Sequence, residues 1–365
     1  MALTKVLIGG IEPNLGRRNI LNNGAMQVAQ RGAATSAGAL GDAVEMGNID
    51  RFKIEAGNTA GRFTMEQTAI TDLPGFANCM ELTCTTADTT IAAGEFITLS
   101  QYLEGQDLQQ MKKGTSSAEA VTVSFYVKGN ASATHTLELR DNDNSRFNSQ
   151  EFPVTTDWVR VSRTFVGDTT GAFDDDNALS LKCNIHLHAG SDMAGGTHVS
   201  NTWGTTTNTR VGDNQTSFVD ADTRNLFITG FQLEVGSQAT PFEHRSFGEE
   251  LALCQRYYYR VQSSAEANIA TGNAWDARSS DYSIRLPTTM RAAYTLGVSA
   301  LTDILYKYGA RSERSDGQYF QLTNSTALDI AGINHQILTN STTVGFATHL
   351  ALKDANSYFD FDAEL

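Results

Sequence analysis

VTVSFYVKG, residues Val121 to Gly129, decides the fold. Val121, Val123, Phe125 and Val127 alternate with Thr122, Ser124, Tyr126 and Lys128. A period of two sends alternate side chains to opposite sides of an extended chain, so the stretch predicts a strand with one apolar and one polar face. Such strands build antiparallel sheets that bury their apolar faces against each other. The pattern recurs on both sides. HTLELRD puts Leu137 and Leu139 on one face. WVRVSRTFVG alternates Val159, Val161 and Phe165 with polar positions, with Arg163 out of keeping. ALSLKCNIHLH places Leu179, Leu181, Cys183, Ile185 and Leu187 on one face and Ser180, Lys182, Asn184, His186 and His188 on the other. FITGFQLEV ends the series with Phe227, Phe231, Leu233 and Val235 in phase, and Gly230 marks a bulge. Upstream, NILNNGAMQVAQRG joins apolar residues by Asn-Asn-Gly turn chemistry and reads as the first β segment.

The series breaks at Pro241. Ser246 then fits a helix N-cap with Glu249 three residues on, and Leu251, Cys254, Tyr258 and Val261 form a helical stripe. After Tyr257 the strand pattern returns, ending in YFDFDAEL, where Phe359, Phe361, Ala363 and Leu365 alternate with Tyr358, Asp360, Asp362 and Glu364. The expected architecture is all-β: an antiparallel jelly-roll β-sandwich over residues 19–245, a short linker helix over 246–256, and a smaller C-terminal β-sandwich domain over 257–365. Residues 1–18 stand apart as an arm. Its apolar patch, Val6, Leu7 and Ile8, is too small to fold alone and is suited to docking on another protein.

Composition narrows the function. The chain has 365 residues and a formal net charge of −14. An acidic chain is a poor match for nucleic-acid phosphates or for an anionic membrane surface. No stretch approaches the length of a membrane span, and the first residues lack the pattern of a signal peptide. The four cysteines form no C-x-x-C pair and no zinc-finger spacing, which favours reduced, buried thiols.

Motifs for chemistry are missing. The sequence holds no Walker loop, no G-x-G-x-x-G after a strand, no G-x-S-x-G and no H-E-x-x-H. DNDNSRFNSQEF starts like a calcium loop, but Arg146 stands where a sharp turn needs Gly and Phe152 where a bidentate Glu is needed. The acidic run Asp174 to Asn177 reads as a solvated turn before it reads as a structural calcium site. His186 and His188, two apart on a strand, point the same way; without a clear third ligand they suggest a polar face, and no metal or cofactor is expected. Tyr126 points away from the core and Trp203 lies in a polar loop, where aromatic rings can stack on sugars. Tyr126, His186, His188 and Trp203 are the candidate glycan contacts.

Several segments occur together in order: NILNNGAMQVAQRG, DRF (Asp50 to Phe52), YLEGQDL (Tyr102 to Leu108), VTVSFYVKG, DWVRVSRTF, FITGFQLEVGSQATPFEHRSFGEELALCQRYYYR and YFDFDAEL. In this order the chain resembles fibre and receptor-binding proteins of tailed bacteriophages, from about Asn19 to Leu365. The block from Gln232 to Tyr258 is its most distinctive part, and Phe52 stands where such sequences would carry Trp. The resemblance implies a carbohydrate-binding-module-like jelly roll and a virion component, homotrimeric, that contacts host-surface polysaccharide without catalysis. It implies no transferable catalytic residue. A purely structural head fibre, decoration or collar protein is the alternative, and a polysaccharide depolymerase a more distant one.

Overall fold

The computed structural model describes residues 17–32, 44–308, 311–314, 320–324, 328–336 and 344–365. The arm residues Val6, Leu7 and Ile8 lie outside them. The chain forms two compact units, one running to Arg245 and one spanning Ser246–Leu365. No helix among the described residues is long and apolar enough to cross a membrane.

The first unit is an antiparallel sandwich of jelly-roll type. Its strands are β1 (Val44–Met46), β2 (Lys53–Gly57), β3 (Arg62–Ala69), β4 (Asn78–Thr86), β5 (Phe96–Glu104), β6 (Val121–Gly129), β7 (Ala133–Asp141), β8 (Arg146–Val154), β9 (Val159–Phe165), β10 (Leu179–Ala189) and β11 (Asn225–Val235). One sheet has the order β1-β2-β5-β10-β7-β8 and the other β3-β4-β11-β6-β9. The inward sets read from the sequence meet between them: Val123, Phe125 and Val127 from β6, Leu181, Cys183, Ile185 and Leu187 from β10, Phe231 and Leu233 from β11. Phe125 contacts Phe152 edge-on at 5.1 Å and Phe231 at 5.0 Å, which ties the two sheets together through one ring cluster. Arg163 falls in the inward phase at the sandwich edge, and there its Nε donates to the Glu151 carbonyl of β8 at 2.8 Å, so a misplaced cation becomes a lace between the sheets.

Residues 19–32 correct the sequence reading, because they form no strand. They are an irregular plug that buries Ile20, Leu21, Met26 and Val28 in the core. The plug works because its asparagines supply the hydrogen bonds a ladder would have supplied. Asn19 exchanges bonds with the backbone of β11 at Phe231 and Leu233 (both 3.0 Å). Asn22 and Gln101 bond reciprocally at 2.8 and 2.9 Å. Asn23, with φ at 57°, spans Val28 and Asp50.

The break at Pro241 has a definite purpose. After β11 the chain turns back across the outer side of its own sheet as a strap. Glu234, only 3% exposed, accepts from the Thr240 N–H (2.8 Å) and hydroxyl (2.6 Å). Gln232 accepts from the Glu243 N–H at 2.8 Å. The Glu243 carboxylate then takes the N–H groups of Arg18 (3.1 Å) and Asn19 (2.7 Å), and Arg245 donates to the carbonyls of Asn19 and Leu21. The acids of this segment are fasteners for the plug.

The second unit opens with α2 (Phe247–Gln255), whose N-cap Ser246 accepts from the Glu249 N–H at 3.3 Å. Its short predecessor α1 (Ser191–Ala194) sits in the first unit. Ten strands follow: β12 (Tyr258–Gln262), β13 (Asn268–Ala274), β14 (Ser279–Arg285), β15 (Thr295–Val298), β16 (Ile304–Tyr308), β17 (Arg311–Arg314), β18 (Phe320–Asn324), β19 (Ile330–Gln336), β20 (Ala347–Leu352) and β21 (Tyr358–Asp362). They make sheets of order β12-β21-β15 and β17-β16-β20-β13-β14-β19-β18. Phe359 and Phe361 of β21 are fully buried, as the alternation predicts.

Each unit buries an imidazole, His135 in the first and His335 in the second. Burial pushes both down to about 4 from the ordinary 6.5. Between those values the unfolded chain binds a proton that the folded one refuses, so stability falls as pH drops from 6.5 to 4 and this contribution is flat below 4. Thermal unfolding against pH should show a loss of about 3 kcal/mol per unit over that window. In His135→Gln the first unit's share of the slope should vanish; an unchanged slope would show that His135 does not set it.

Candidate functional site

The sandwich offers two outer faces. The polar set of β10 lies on one of them, and the sequence reading left it open to a ligand. The structure corrects this: His186 and His188 are both 0% exposed. The long segment after β10 folds back over the sheet and is pinned there by Glu138 of β7. Arg210 grips that carboxylate with two bonds of 2.7 and 2.8 Å, His186 Nε2 lies 2.9 Å away, and Asn184 donates at 2.9 Å. Burial alone would raise the Glu138 carboxyl, but Arg210 and His186 outweigh it and hold it well below the carboxylate range. Gln215 adds a bond to the His186 carbonyl (2.8 Å), and the Phe218 N–H bonds the Leu187 carbonyl (2.7 Å). These two histidines serve the chain's own loop.

Trp203 is part of the same covering segment. Its indole N–H donates to the Val166 carbonyl at 2.7 Å, and its ring packs against the core. Beside it Lys113, its side chain 4% exposed, is caged by Asp141 (2.5 Å), Asp168 (3.3 Å) and the carbonyls of Thr170 (2.9 Å) and Gly171 (2.7 Å). Two carboxylates and two carbonyls are what a bound cation would attract; here the ammonium of Lys113 supplies the charge. The acids of the loop DNDN are thereby partly committed. A recess of about 230 Å³ nearby is lined by Phe147, Ser149, Thr197 and Val199, but its one ring, Phe147, is only 6% exposed.

Tyr126 differs from the other three. It stands on the outward side of β6 in the five-stranded sheet, half-buried, and is one of a row of rings. Phe76 lies 5.3 Å from it, and Phe242 and His244 lie 5.2 and 5.3 Å from Phe76. Phe242 and His244 meet nearly edge-on at 4.9 Å. The Arg160 guanidinium sits 5.9 Å over Tyr126 and donates to the Thr240 carbonyl. Further along the same strand, Lys128 lies 4.9 Å over Trp158 and 5.1 Å over Phe227 and pairs with Asp72. His244 and Arg160 are exposed, and Phe76, Trp158 and Phe242 are half-buried. Rings that keep part of their faces in water, with cations and a carboxylate among them, can stack against a flat apolar ligand face and hydrogen-bond its rim.

The row depends on the bulge at Gly230. The pairing of β11 with β6 slips between Thr229 and Gln232, and Gly230 adopts φ +67°. A Cβ there would lie 2.8 Å from Phe76 Cζ and 2.9 Å from Tyr126 Cδ2, so both rings occupy space that only glycine leaves. Sequence reasoning found Tyr126 and the bulge but missed Phe76, Phe242 and His244. The missed rings come from turns after Pro74-Gly75 and Pro241, where an aromatic residue in a Pro/Gly loop was the available signal. The structure does not bring the four predicted contacts together. Tyr126 lies on one sheet, and His186 and His188 are buried on the other under the loop that carries Trp203.

In the second unit, Trp275 and Phe346 are each 55% exposed and their segments are joined by the Ala274 N–H to Phe346 carbonyl bond of 3.1 Å. The neighbouring Asp276 carboxylate accepts the N–H groups of Arg278 and Ser279 (both 2.6 Å), which fixes its own turn.

No protein-family model and no curated protein sequence matches the chain. Among solved structures it is similar to the enzymatically active domain of tailspike protein 4 of bacteriophage CBA120, at 10% identity and TM-score 0.32, over 60% of this chain and 21% of that one. It is similar to TmCBM61 in complex with β-1,4-galactotriose, at 12% identity and TM-score 0.32, over 60% and 100% of the two chains. It is also similar to the family 11 carbohydrate-binding module of a Clostridium thermocellum cellulosomal cellulase, at 10% identity and TM-score 0.28, over 56% and 99%. Likenesses this loose carry no residue or activity across.

Gly230→Ala should cost about 1–3 kcal/mol, from the left-handed backbone and the displaced rings. Near-ultraviolet circular dichroism should report the disturbed aromatics together with a lower Tm. An unchanged spectrum and Tm would mean that the bulge does not hold the row.

Proposed function

We propose that the chain binds a saccharide across the Tyr126–Phe76–Phe242–His244 row, as a fibre or spike protein of a phage particle that adheres to host-surface polysaccharide. The observation that carries the reading is the row itself, with Arg160 at its side on the outward face of the five-stranded sheet. A pyranose ring offers an apolar C–H face and a rim of hydroxyls. The ring faces suit the first, and the guanidinium and imidazole suit the second. One such contact is weak, and three chains about an axis would multiply it by avidity. The phage particle, the trimer and the docking role of Val6, Leu7 and Ile8 rest on the sequence resemblance.

Three of the sandwich's carboxylates are held by cations and are poorly suited to acid catalysis. A glycosidase needs one acid that keeps its proton near neutral pH. Glu138, Glu55 and Asp168 are instead paired with Arg210, Lys182 and Arg146. Burial works to raise the Glu55 carboxyl, yet Lys182 and the Tyr102 hydroxyl bring it below the ordinary value.

The test is binding of the purified protein to host cells and to their isolated surface polysaccharide. Wild type should bind, and Tyr126→Ala and Phe242→Ala should each weaken binding about tenfold, equivalent to about 1.4 kcal/mol. No binding by wild type, or full binding by both variants, would remove the assignment. A solution mass of one chain would remove the trimer alone.

A further inference from the structure

At one end of β10, three ligand-type side chains converge, one from β10 and two from the connection between β4 and β5. They are His188 of β10, Glu95 just before β5 and Asp88 in the loop between β4 and β5. Asp88 and Glu95 are each 7% exposed and His188 is 0% exposed. One atom from each lies within 4.8 Å of the others, and His188 Nε2 lies 3.4 Å from Glu95 Oε2. A four-coordinate ion with bonds of about 2.0–2.1 Å spaces its ligand atoms about 3.3–3.5 Å apart, so that edge already has the right length.

The groups are oriented from outside. Ser217 Oγ lies 2.7 Å from His188 Nδ1, which turns Nε2 toward the carboxylates. Asp88 Oδ2 accepts the Thr59 hydroxyl (2.9 Å) and the Ala60 N–H (2.8 Å), and Oδ1 takes the Thr90 N–H at 3.3 Å. This is the outer-shell bonding that fixes metal-binding imidazoles and carboxylates. When Nδ1–H is given to Ser217, the Nε2 lone pair faces the Glu95 carboxylate, and a cation held between them satisfies both. Charge says the same. Two buried carboxylates face one imidazole, and among the described residues no lysine or arginine pairs with either. At Lys113 the chain supplied its own cation for two buried carboxylates; here it supplies none.

We infer that Asp88, Glu95 and His188 bind one divalent ion of the zinc class, leaving a fourth position for water. The donor set of one imidazole nitrogen and two carboxylate oxygens suits zinc, whereas calcium takes six to eight oxygens. The ion would clasp β10 to the connection between β4 and β5. The covering loop is already bonded to both, through the Asp88 N–H to the Val219 carbonyl and the Phe218 N–H to the Leu187 carbonyl, both at 2.7 Å. The proposal is independent of the saccharide reading.

The test is calorimetric titration of zinc sulfate into full-length protein stripped with a chelator, with thermal unfolding alongside. Wild type should take one equivalent per chain and gain Tm. Glu95→Gln keeps the size and removes the charge, and should weaken binding at least a hundredfold. Ser217→Ala, which frees the imidazole, should weaken it about ten- to a hundredfold. Cobalt(II) added to wild type should give the intense visible bands of four-coordinate cobalt, which decides the matter even if a variant fails to fold. Absence of zinc uptake, wild-type affinity in Glu95→Gln, preference for calcium, or a six-coordinate cobalt spectrum would each overturn the proposal.

Discussion

The first unit depends on one buried carboxylate. Glu138 sits at 0% exposure on a sheet face, and a lone charge there would cost several kcal/mol. Arg210 and His186 compensate it, and in doing so they fix the covering segment over β10 and β7. That pairing decides which outer face a ligand can reach. It closes the six-stranded sheet around His186 and His188 and leaves the aromatic row on the five-stranded sheet as the place where rings and polar groups meet water.

Polar residues hold this sandwich together in places where strands or apolar contacts would be expected. Asparagines 19, 22 and 23 replace a strand with a hydrogen-bonded plug. Glu234 and Glu243 fasten the strap that lies over it. Lys113 neutralises Asp141 and Asp168 in a cage that resembles a cation site. Asn19, Asn22, Glu243 and Lys113 are matched by partners far away in sequence, so these contacts specify the topology as well as stabilising it. The Asp88, Glu95 and His188 cluster departs from that pattern, and its unmatched charge is the reason to assign it an ion.

Alternation made much of the fold legible. The inward sets of β6, β10 and β21 were read correctly from a period of two, and the bulge from a single glycine; the bulge reverses the phase of β11, so that before it Leu226 and Ile228 face the core in place of Phe227. What alternation cannot say is what lies over the second face of a strand. His186 and His188 were therefore placed outward, though a partner 24 residues downstream of His186, Arg210, brings a lid over them. The asparagine-rich segment after Arg18 looked like strand and turn because its apolar spacing is suitable, yet its side chains compete with the ladder for backbone groups. The row around Tyr126 was half legible. One ring sits on a strand, where periodicity shows it, and the others come from turns whose paths depend on Gly75, Pro241 and the strap.

Hydrogen–deuterium exchange with and without host-surface polysaccharide tests the account most directly. Saccharide seated on the aromatic row should slow exchange in residues 70–77, around Arg160 and in residues 240–245, and leave residues 190–223 unchanged. Protection confined to residues 190–223, or to the second unit, would show that the covered face or another surface is the one that binds.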